Sequence, residues 1–189
     1  RGAHLAAIRE AGLRVESIRG DFILQPARAE SDPTLVGPVD AVLVGVKTWQ
    51  IPAAGEAIRP LVGAGTLVVP LENGVAAPGQ LAAVLDDAQG GPPHVIGGLC
   101  AISSLVAAPG VIRHVGMDPR IAFNRLDGQP DERVERLRAA FARCQGVTVE
   151  VPADIQAALW AKFIFIAALS GVGAVTRVPA GLLRRTPET

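Results

Sequence analysis

The stretch DAVLVGVKTWQIPAAGEAIRPLVGAGTLVVPL, residues 40–71, decides the fold. Its opening DAVLVGV (40–46) is a nearly continuous apolar run of strand length. IPAAGEAIRPLV (51–62) reads as a helix with Pro52 in the first turn, where a missing backbone N–H costs least. TLVVPL (66–71) is a second strand. A strand, a helix and a strand in close succession predict a parallel sheet buried on both faces.

Upstream, Leu5, Ile8 and Leu13 flank a short helix ending near Gly12, and LRVESIRGDFILQPARA reads as two short strands about a Gly-Asp turn. The chain thus opens on a helix. Downstream, QLAAVLDDA is another short helix. HVIGGLCAISSLVAAPGVIRHVG reads as a pair of strands joined at Pro109-Gly110, and IAFN as one more, so hairpins replace the parallel pattern. Val134, Leu137, Phe141 and Cys144 recur at helical spacing in DERVERLRAAFARC, and VTVEVP is an edge strand closed by proline. From Asp154, a plausible N-cap, a long helix runs through DIQAALWAKFIFIAALSGVGAV. The boundary between an α/β domain (1–151) and an all-helical region (152–189) is therefore expected near residue 152.

Of the 189 residues 49% are hydrophobic and 19% charged, with 21 Gly and 15 Pro, the profile of a packed globular chain. Eighteen basic residues balance eighteen acidic ones, and no Lys/Arg run supplies a field for nucleic acid or an anionic membrane. A small molecule is the expected partner. Cys100 and Cys144, the two cysteines, fit neither a metal-ligand spacing nor a redox pair and are expected to be buried thiols in a reducing cytoplasm. No h-region of a signal peptide follows the charged start RGAHLAAIRE. FIFIAALSGVGAV (163–175) falls short of the roughly 20 residues needed to cross a bilayer and reads as a buried core helix.

Lys162 stands alone in AALWAKFIFIAALSG. An amine so placed either faces a cleft, where its pKa is tunable, or lays its stem on the helix and snorkels to water. Lys47 and Gln50 follow the first parallel strand and Asn73-Gly74 follows the next, at the carboxyl ends where open parallel sheets bind ligands. A cation there could meet a phosphate or a carboxylate, although Asn-Gly is also a common turn pair. His4, His94 and His114 are scattered without partners at ligand spacing, so no metal is expected, and no serine lies in a G-x-S-x-G context.

Together, DAVLVGVKTWQ, PLENGV, GGLCAISSLVAAPGVIRHVG and DIQAALWAKFIFIAALSGVGAVTRVPAG resemble the ketopantoate reductase family in order and spacing. The resemblance implies a Rossmann-type, mostly parallel domain holding NADP(H), then a helical domain, with a keto acid in the cleft between them. By the same resemblance Arg1 would meet the 2′-phosphate of NADPH, Lys47 and Gln50 would lie near the cofactor, and Asn73 beside nicotinamide and substrate. Lys162 would be the catalytic lysine, donating a proton as a 2-keto acid is reduced to a 2-hydroxy acid. The family's asparagines four and eight residues after that lysine, and after the later proline, are here Ile166, Ser170 and Ala180. Ser170 takes a substrate-contact position, and the pocket is expected to pair the polar groups of 2-dehydropantoate less fully.

The family's glycine-rich turn, and the serine and glutamate of its helical domain, have no counterpart in residues 1–189. The chain is thus expected to be incomplete at both ends, without the first strand-helix unit, inactive by itself, and prone to aggregate or form a homodimer through an uncovered sheet. A non-catalytic remnant of such a reductase is one alternative. A related hydroxy acid dehydrogenase is the other, against which the KTWQ and LENGV pair weighs.

Overall fold

A computed structural model describes residues 2–86, 93–183 and 185. The chain folds as α/β. Strand β3 (Ala41–Val44) pairs in parallel with β4 (Leu67–Pro70), Ala41 opposite Leu67 and Val44 opposite Pro70. Between them lie α2 (Ile51–Ile58), with proline in its first turn, and a 3₁₀ turn, Arg59–Leu61, in which Pro60 ends the α-helical pattern expected to reach residue 62. All four residues of β4 are buried. Val68 faces a core of Val42, Val44, Ile51, Leu81 and Leu85 under α2 and α3 (Ala77–Leu85), whereas Leu67 and Val69 face Ile121, Phe123 and Val134. This alternation, with both sides apolar, is why the sequence reads as a continuous hydrophobic run.

The sheet continues through a parallel bridge from Val68 to Val95 into β5 (Gly97–Ala101), which pairs antiparallel with β8 (Arg120–Asn124); β8 pairs in parallel with the edge strand β9 (Thr148–Glu150). Helix α4 (Glu132–Phe141) covers one face through Val134, with Leu137 and Phe141 packed beside it.

A second sheet, in the order β2-β1-β7-β6, is built from β1 (Leu13–Ser17), β2 (Phe22–Leu24), β6 (Ser104–Ala108) and β7 (Val111–His114). The β1–β2 and β6–β7 hairpins join through a parallel β1–β7 pairing, with Ser17 opposite His114. The pair of strands expected over 94–116 is thus three. Gly97–Leu99 are buried in the central sheet, while Ser104–Val106 are exposed, so the chain changes sheets at Ile102-Ser103. Helix α1 (Gly2–Ala11) precedes β1.

Asp131 caps α4 by accepting from the Arg133 N–H at 2.9 Å, and its carboxylate also meets the Arg133 side chain at 2.7 Å and Arg125 at 3.5 Å. The hydrogen bond from Arg133 leads the effects that hold the Asp131 pKa down at about 2. Removing the carboxylate takes away the cap and leaves Arg133 nearly buried with only the Pro93 carbonyl. Asp131→Ala is expected to cost about 2 kcal/mol in urea unfolding at neutral pH. Because a lowered carboxyl pKa stabilises above the unfolded value and loses this as pH falls, the deficit should shrink between pH 3.8 and about 2.

Helix α5 (Ile155–Thr176) is capped by Asp154, whose carboxylate accepts from Ala157 N–H at 2.9 Å, and is followed by α6 (Ala180–Leu183). The expectation of a buried core helix over 163–175 is overturned. The helix is 22 residues long, with Ile155 and Leu159 its buried residues, while Ile164, Phe165 and Val175 are exposed. Length and composition alone would let it cross a membrane; counting from Phe163 missed this because the helix runs through Lys162 from Ile155. The cysteine expectation is corrected too: Cys100 is half-buried and Cys144 exposed, since α4 ends at Phe141 before the apolar spacing reaches position 144.

Candidate active site

Three of the expected residues come together at the carboxyl ends of β3 and β4. Lys47 N–H donates to the Gln50 side-chain oxygen at 3.0 Å, and Gln50 N–H returns to the Lys47 carbonyl at 2.7 Å, closing a tight turn. Thr48 Oγ1 donates to the Asn73 carbonyl at 3.2 Å, tying this turn to the Asn73-Gly74 turn. Gly74 has φ 116°, the left-handed region open to glycine, so Asn-Gly also serves as a turn here. Trp49 beside it is 79% exposed.

Lys162 belongs to α5, which packs on β5 and β8 through Ile155 and Leu159. Its Nζ donates to the Cys100 carbonyl on β5 at 2.5 Å, so the ammonium is half-buried and anchored. Burial lowers its pKa from 10.5, offset in part by the Cys100 thiol, and burial raises the pKa of that thiol. One of its N–H groups is thus held on β5 instead of extending into solvent.

Val75, just after Asn73-Gly74, packs with Leu99, Ile155 and Leu159, which fixes the Asn73 turn against the first turns of α5. Val75, Pro78, Leu126, Gln156, Leu159 and Trp160 line a cavity of about 220 Å³ there. Ser170 shares the face of α5 that carries Lys162 and half-buried Ile166, but it is exposed and about 12 Å further along the axis at 1.5 Å per residue. Arg1 lies outside the described residues. No group of three or more His, Cys, Asp or Glu residues suited to a metal occurs among the described residues.

Glu72 was missed from the sequence. It ends β4's apolar run beside Asn-Gly, where a carboxylate reads as turn polarity, yet it is 8% exposed. One oxygen accepts from Val46 N–H at 3.2 Å, and the other is buried without a hydrogen-bond partner. Burial raises its pKa above 4.5 against the pull of backbone amides.

Residues 1–128 match the family model described as "Ketopantoate reductase PanE/ApbA". The chain belongs to the ketopantoate reductase family. A 2-dehydropantoate 2-reductase of Mesorhizobium japonicum is 32% identical over 177 residues, 86% of this chain and 53% of the relative. An uncharacterized oxidoreductase of Bacillus subtilis is 29% identical over 181 residues, 95% of this chain and 56% of the relative. The crystal structure of 2-dehydropantoate 2-reductase from Geobacter metallireducens superposes with TM-score 0.85 at 33% identity, over 96% of this chain and 58% of that one. This ketopantoate reductase relative therefore spans about half the length of the curated proteins it matches. A ternary structure of D-mandelate dehydrogenase with NADH and anilino(oxo)acetate shares the fold at 16% identity, TM-score 0.79.

Proposed function

We propose that this chain carries part of an NADPH-dependent reductase of 2-keto acids, acting in the cytoplasm on a small molecule. The observation that supports the reading most is one juxtaposition. A cation and two amides, Lys47, Gln50 and Asn73, occupy the ends of adjacent parallel strands, and a half-buried lysine is anchored on the next strand, at Cys100.

That donor set suits a phosphorylated dinucleotide. Lys47 would meet phosphate or carboxylate charge, the Gln50 and Asn73 amides would pair with polar edges, and Arg1 would discriminate the 2′-phosphate. When bound, the dinucleotide supplies hydride to the ketone carbon. Lys162 gives the proton: Nζ spends one N–H on the Cys100 carbonyl, leaving two donors for a substrate carbonyl oxygen. It stabilises developing alkoxide charge and then neutralises it. A burial-lowered pKa makes the ammonium a readier donor. Since the protonated form is the acid, the reduction rate should hold at lower pH and fall as pH rises through a value below 10.5; a rate–pH profile that stays flat to that pH would count against Lys162 as donor.

The position of Ile166 on the Lys162 face, with Ser170 beyond it, favours a 2-keto acid with fewer polar groups than 2-dehydropantoate as a second reading. Binding is read from quenching of Trp49 and Trp160 by NADPH, with Lys47→Ala alongside, followed by NADPH consumption with a panel of 2-keto acids. Saturable quenching that weakens about tenfold in Lys47→Ala supports the reading. No quenching in either chain removes it for residues 1–189, leaving the non-catalytic alternative.

A further inference from the structure

Glu72 is a buried acid that the proton-transfer scheme does not use. Its Oε1 holds the Val46 N–H at the end of β3, one residue before Lys47, while its own backbone leads directly into Asn73. It thus links the two strand ends from which the proposed nucleotide contacts issue. Thr48 Oγ1 also reaches the Asn73 carbonyl at 3.2 Å on the exposed side, and Leu71 N–H donates to the Val44 carbonyl at 3.0 Å. Among the described residues no charged side chain pairs with Glu72. Lys47, the cation of the neighbouring strand end, is exposed, and the influences on the carboxyl are burial and the backbone amides of Val46, Leu71 and Glu72 itself.

We propose that Glu72 is a positioning residue of the nucleotide site, a tether that sets Lys47 and Gln50 relative to Asn73. The inference rests on the nucleotide reading given above. As a neutral acid Glu72 keeps its acceptor on Val46 and leaves one unpaired buried oxygen that bears a proton. Ionised, it would place an uncompensated charge beside an oxygen with no donor, and relaxing that charge towards water would draw the Val46–Lys47 segment with it. The tether should therefore be intact at low pH and slacken as pH rises through the raised pKa.

The test uses three chains spanning residues 1–189: the unaltered one, Glu72→Gln and Glu72→Ala. Glutamine keeps the acceptor and cannot ionise; alanine removes it. In amide NMR spectra followed against pH, the Val46, Lys47 and Asn73 signals of the natural chain should titrate together with a midpoint above the ordinary carboxylate range, and this titration should vanish in both variants. NADPH affinity from tryptophan quenching should weaken with rising pH through that midpoint in the natural chain. In Glu72→Gln it should stay within about twofold and be flat over that range, and in Glu72→Ala fall about tenfold while the melt stays cooperative. Val46 and Lys47 signals that ignore Glu72, or glutamine behaving as alanine does, would overturn the proposal. If none of the chains binds NADPH, the nucleotide reading fails by itself, and the amide titration still decides whether Glu72 is the tether.

Discussion

Lys162→Ala is expected to lower kcat for keto acid reduction by roughly 10²–10⁴-fold, the range for loss of a positioned general acid. NADPH affinity should change little, because the residues placed at the strand ends, Lys47, Gln50 and Asn73, remain. Steady-state rates of NADPH consumption and tryptophan quenching separate the two effects. Lys162→Arg makes the argument sharper: guanidinium keeps the charge but cannot release a proton near neutral pH, so it should rescue little. A mutant that retains turnover within a few-fold would remove Lys162 from the chemistry. A loss confined to KM would make it a binding residue.

Gly98→Ala should strongly destabilise the central sheet. A Cβ there would sit 2.6 Å from the Pro70 carbonyl oxygen and collide with the Val69 side chain, so backbone on β4 or β5 has to move. Small-to-large changes in packed cores cost about 1–3 kcal/mol, and a clash with backbone lies at or above the top of that range; about 3–4 kcal/mol is expected in urea unfolding. The damage reaches the site as well. Pushing β5 away from β4 shifts Cys100, two residues on, and with its carbonyl the anchor of Lys162. Unfolding midpoints of Gly98→Ala and Gly98→Ser that match the natural chain would show that the strands have room to spare.

Local patterns made the central sheet legible. The apolar runs at 41–44 and 67–70 are short, continuous and separated by a helix with proline in its first turn, and each of these signals acts within a few residues. Asp154 was readable as a cap for the same reason. Lys162 stood out because one charge in an apolar helix has few inexpensive places to go. What stayed hidden depends on partners distant in sequence. Nothing local separates Gly97–Ala101 from Ser104–Ala108, because the division comes from β5 pairing with β8 and β7 pairing with β1. Glu72 shows the same limit: its burial follows from the end of β3 lying over it, and the tetrapeptide LENG carries no trace of that. Cys144 fits the apolar helical spacing, yet the helix stops three residues too early to use it.

The parallel pairing of Ser17 with His114 has a temporal side. The two side chains are hydrogen-bonded at 2.9 Å across 97 positions, so this seam cannot close before residue 114 exists. A contact of such sequence separation carries a large loop-closure cost, which falls once the intervening β3–β4 pair has shortened the loop. Assembly is thus expected to run in one order: the β3–β4 layer that bears the candidate site forms first, and the β1–β7 seam closes afterwards as a record that the middle of the chain has already folded.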